Sequence, residues 1–75
     1  MHQEYKTTDI VLAAFLRLNE CTMLGIEKVG QRGTFVFEQV DDSLVKTYDL
    51  GKALVEPIAF NNMIKMLTTS VRRMD

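Results

Sequence analysis

Residues Gly51 to Leu67, GKALVEPIAFNNMIKML, narrow the folds open to this chain more than any other stretch. They hold its only proline and read in turn as a helix stop, a short extended run and a new helix start. Gly51 stands where a left-handed glycine ends a helix. Ala53-Leu54-Val55 is held extended, partly by the proline two positions on, and could add a short third strand beside a hairpin. Pro57 suits the first position of a helix, where its missing N–H costs nothing. The helix it opens sets Phe60, Met63, Ile64, Leu67 and Val71 on one face, with Lys65 and Thr68 off it. Arg72 and Arg73 fall in its last turn, where positive charge meets the negative end of the helix dipole.

Upstream, residues 1–6 are polar and ordered only if something docks on them. Thr7, Thr8 and Asp9 offer an N-cap for a helix running to Leu18 or Asn19. Its sequence, IVLAAFLRL, is apolar nearly all round and broken only by Arg17. Such a helix must be covered on most of its circumference. It is either the central element or part of a subunit interface. Met23 to Val29 and Thr34 to Val40 read as two strands. Period-two alternation puts Leu24 and Ile26 on one face of the first, with Met23, Gly25, Glu27 and Val29 opposite. In the second, Phe35 and Phe37 share a face, and Thr34, Val36 and Glu38 the other. Gly30-Gln31-Arg32-Gly33 between them marks a hairpin. Asp41 and Asp42 can cap a second helix carrying Leu44, Val45 and Tyr48.

The predicted class is α+β, in the order α-β-β-α-β-α: a small antiparallel hairpin or three-stranded sheet with helices on one face. Seventy-five residues make a single domain, 1–75. Domains this small usually lean on a disulfide, a metal or a partner subunit. Cys21 is the only cysteine and His2 the only histidine, which removes an internal disulfide and a Cys/His zinc site. Efficient packing or self-association is left. Nine basic residues against ten acidic ones, for a formal charge of −1, weaken a dedicated nucleic-acid role without removing a local basic patch. No apolar run is long enough for a membrane span. MHQEYKTTD lacks the layout of a signal peptide, so the expectation is a soluble cytoplasmic protein.

Three segments in this order carry a family likeness: TTDIVLAAFL, the glycine-bounded hairpin ending in FVFE, and YDLGKALVEPIAFNNMIK. Together they resemble DUF5659, a family of short bacterial and phage-associated proteins of unknown function, over roughly residues 5 to 73. Members often carry Asn-Gly after the aromatic residue, where this chain has Asp49-Leu50-Gly51; the departure touches the helix stop alone. The resemblance implies a small stand-alone domain from a phage or mobile element. It brings no catalytic residue.

The residues offer little for catalysis. Cys21 follows a helix C-terminus, where the dipole disfavours a thiolate, and has only His2 as a base. Asp41 and Asp42 are explained by capping. Gly30 to Gly33 lacks the spacing of a phosphate loop and lies between strands. The expectation is therefore no enzyme, with no catalytic, cofactor or metal residue and no cofactor.

A non-enzymatic interaction module is the leading expectation, self-associating as a homodimer through the first helix and one sheet edge or helix face. Ile58 and Met66 are candidate partner-surface residues. A host or replication protein is a further partner that the family likeness implies. The alternative is a nucleic-acid-binding accessory protein whose hairpin tip and final helix end present Lys28, Arg32, Lys65, Arg72 and Arg73 to phosphates.

Overall fold

The computed structural model of the chain describes residues 4–30 and 32–74. Along it run β1 (Tyr5–Thr7), α1 (Ile10–Leu18), β2 (Met23–Val29), β3 (Arg32–Phe37), α2 (Asp42–Asp49) and α3 (Pro57–Arg72). The strands form one antiparallel sheet in the order β1-β3-β2. The α+β class stands, and the helices pack on one face.

The third strand lies at the N-terminus. Tyr5, Lys6 and Thr7 pair with Phe37, Val36 and Phe35, so the partner that orders residues 5–6 is the domain's own β3. Residues 1–3 of that polar segment lie outside the described residues. Ala53-Leu54-Val55 belongs to no strand. Its alternation survives nonetheless, because Ala53 and Val55 pack against the core while Leu54 faces solvent.

The first hairpin strand matches its expected bounds, and the second runs Arg32–Phe37 rather than 34–40. Val29 pairs with Arg32, and Gly30 turns between them at φ +63°. Gly33 is thus a strand residue, needed for a different reason. A Cβ there would lie 2.9 Å from Val71 Cγ2, so the bare backbone is what lets the last turn of α3 close on β3.

The expected facing of β2 is corrected by a bulge. Met23 pairs with Phe37 and Gly25 with Val36, so Leu24 is the extra residue. One inserted residue switches the alternation. Met23 and Ile26 both pack on the core, and Leu24 is left 52% exposed. On the helix-free face Lys6 Nζ reaches Glu27 Oε1 at 3.4 Å, bridging β1 and β2 above the central strand that carries Val36.

Helix termini follow local chemistry. Asp9 Oδ1 accepts from the Val11 and Leu12 N–H groups at 2.9 and 3.3 Å. Asp41 Oδ1 accepts from Ser43 N–H at 3.0 Å, and Glu56 Oε2 from Ala59 N–H at 2.6 Å, with Pro57 following. Gly51, at φ +71°, closes α2 with Gly51 N–H to Tyr48 O and Lys52 N–H to Thr47 O, both 3.0 Å. Helix α1 ends with the same double bond, Glu20 N–H to Arg17 O and Cys21 N–H to Leu16 O, but its left-handed residue is Glu20 at φ +65°.

Of the two roles open to α1, the structure shows the central one. Leu12, Ala13, Ala14, Phe15 and Leu16 are all buried and cluster with Phe35, Phe37 and Leu67. Ala13 and Ala14 keep no exposed surface, so the backbone of α1 approaches its neighbours more closely than larger side chains would allow. Tyr48 of α2 closes a further side: its ring lies 6.0 Å from that of Phe15 and its hydroxyl donates to Asp9 Oδ2 at 2.9 Å. Most of the first helix is taken up by its own core, and Val11 remains 39% exposed.

Candidate functional site

The apolar stripe of α3 turns inward as the spacing predicts. Leu67 is buried, and Phe60, Met63, Ile64 and Val71 pack beside it. The opposite side carries the candidate residues. Ile58 is 70% and Met66 51% exposed. They lie two four-residue steps apart with Asn62 between, about 12 Å along the axis. Residues absent from the sequence reading sit at the same end of the helix. Leu54 is 91% exposed and borders a shallow groove with Leu18, Val55 and Ala59; Leu50 is also exposed. The signal for Leu54 is the period-two alternation of residues 53–55, which turns one residue outward between two inward ones.

Two of the basic candidates meet at the other end of α3. Arg32, at the start of β3, and Arg72, in the last turn of α3, line one groove of about 350 Å³. Contact between Gly33 and Val71 is what brings these sequence-distant residues together. Lys28 pairs with Gly33 and Arg32 with Val29, so strand alternation puts Lys28 and Arg32 on opposite sheet faces. Lys65 is exposed and seven residues before Arg72, which places both on one side of α3. Arg73, exposed, is the helix C-cap. Residues 57–74 contain these three cations and no acid.

Acidic residues collect at the end of the sheet away from the hairpin. Glu4, Asp41 and Asp42 line one recess, and Glu20, Glu38 and Asp41 line a second with Cys21. The formal charge of −1 therefore hides a segregated surface. The capping bonds from Ser43, backbone first and then side chain, hold the Asp41 carboxyl below its ordinary range. Burial pushes the Cys21 thiol up, and the Asp41 charge adds to it, which keeps sulfur in its poorly nucleophilic form. Among the described residues no three His, Cys, Asp or Glu side chains converge as a metal site. No helix among them is long and apolar enough to cross a membrane.

No family model, curated protein or solved structure matches the chain.

Proposed function

We propose that this chain is a small non-enzymatic interaction module of the cytoplasm that self-associates as a dimer. The surface is the connection from α2 to α3 together with the outer face of the first half of α3. The observation that carries this reading is Leu54, 91% exposed beside Leu18 and Ala59, four residues before the 70% exposed Ile58. Burying either side chain is worth about 1.5–3 kcal/mol, and a two-fold interface buries each twice. Sedimentation velocity across a micromolar concentration series tests it. A mass that rises to twice the chain mass supports the module; a monomer at high micromolar concentration overturns it. The likeness to DUF5659, which rests on the quoted segments alone, makes a phage or mobile-element origin part of the proposal. A host or replication protein is then the second partner class.

The convergence of Arg32 and Arg72 on one groove, with no acid in residues 57–74, favours a second reading: a nucleic-acid-binding accessory protein. Lys65 and Arg73 on α3 would extend the contact, while Lys28 lies on the other sheet face from Arg32. Binding should then weaken steeply with salt. Arg32→Ala with Arg73→Ala should lower affinity for all sequences alike, and unchanged binding would remove both from that role.

A further inference from the structure

We propose that the groove between the start of α1, the start of β3 and the end of α3 binds a small carboxylate with an apolar body. It is lined by Ile10 and Val71 over the buried Phe35, and by Arg32, Arg72 and Thr68. The space, about 350 Å³, is at the lower end of the roughly 300–1,000 Å³ typical of small-molecule sites. Such sites are mostly apolar with a few placed polar groups, which is the composition here.

The charge argument selects the ligand. Arg32 and Arg72 are exposed, and among the described residues neither has an ion-pair partner. A guanidinium offers a planar fork that matches a carboxylate. Asp9, the nearest acid in sequence, is committed to the Val11 and Leu12 N–H groups and the Tyr48 hydroxyl. A phosphodiester would satisfy the arginines but leave the half-buried Ile10 and Val71 without a partner. A carboxylate on an aliphatic or aromatic body uses both. Gly33 sets the depth, because any Cβ there would push Val71 away from β3.

This site lies at the far end of α3 from Leu54 and Ile58, so it is independent of the dimer surface. Titration of decanoate, below its micelle concentration, into isotope-labelled protein tests it by amide NMR and calorimetry. We expect one saturable site with shifts at Ile10, Gly33, Thr68 and Arg72. Arg32→Gln with Arg72→Gln should weaken it about tenfold or more while the melting temperature holds, since both residues are exposed. Leu54→Asp should leave it unchanged. Decanol binding as tightly as decanoate would overturn the proposal, as would decanoate affinity that ignores the double substitution. Shifts at these residues produced by a short oligonucleotide and not by decanoate would overturn it in favour of nucleic acid.

Discussion

Helix α1 buries five consecutive residues, Leu12 to Leu16, whereas α3, of sixteen residues against nine, buries only Leu67 and turns Ile58 and Met66 to solvent. Both helices are rich in apolar side chains. The difference is circumference. Sheet, α2 and α3 all meet α1, while α3 meets α1 along one stripe and β3 at its last turn, and keeps its outer face exposed. Cost and opportunity separate accordingly. Changes in α1 fall on the core, and changes on the outer face of α3 fall on exposed surface.

The largest effect that could break this contrast is at Leu16, which has no exposed surface. Leu16→Ala should cost about 2–5 kcal/mol in urea unfolding, against no more than about 0.5 kcal/mol for Ile58→Ala. Similar losses at the two sites would show that α3 is enclosed in the same way as α1. Next comes the contact of α3 with β3. Gly33→Ala forces Val71 outward and should cost about 1–3 kcal/mol, while Gly33→Ala with Val71→Ala should recover much of it. A single substitution without effect would mean that α3 does not rest on β3.

Smaller effects sharpen how α1 is terminated and covered. Glu20 holds a left-handed conformation at φ +65° that suits glycine better, so Glu20→Gly should stabilise by up to about 1 kcal/mol. Loss of stability there would place the value of Glu20 in its side chain. Tyr48→Phe removes the hydroxyl bond to Asp9 and should cost about 0.5–1 kcal/mol. Burial, and then the Asp9 bond and charge, hold the Tyr48 hydroxyl above its ordinary pKa of 10.0. A raised folded pKa means that the neutral phenol is favoured in the native state. The contribution is therefore complete at neutral pH and is lost as pH rises through 10 and beyond. Melting temperatures of the two proteins should converge in that alkaline range; a gap that persists would contradict the assignment.

What the sequence makes legible is mainly local. Asp9, Asp41, Pro57 and Gly51 mark their helix ends because caps are satisfied by atoms a few residues away. The stripe of Phe60, Met63, Ile64, Leu67 and Val71 is equally visible. Pairing is not local, and there the reading slips. Residues 5–7 and 53–55 are both short segments, and nothing in either states which one β3 will accept. The bulge at Leu24 is hidden for the same reason, since it exists only against a partner strand. At the surface, Ile58 and Met66 stand out by sequence, but Leu54 matters through its exposure. The groove of Arg32 and Arg72 arises only when Gly33 meets Val71.

The central claim is that α1 is satisfied within one chain while the face around Leu54 and Ile58 is left for a partner. Sedimentation velocity of Leu54→Asp with Ile58→Asp beside the unaltered protein, with melting followed by circular dichroism, tests it most directly. The account predicts a dimerising parent and a monomeric variant that retains the fold. A variant that unfolds as it dissociates, or one that dimerises as the parent does, would contradict it.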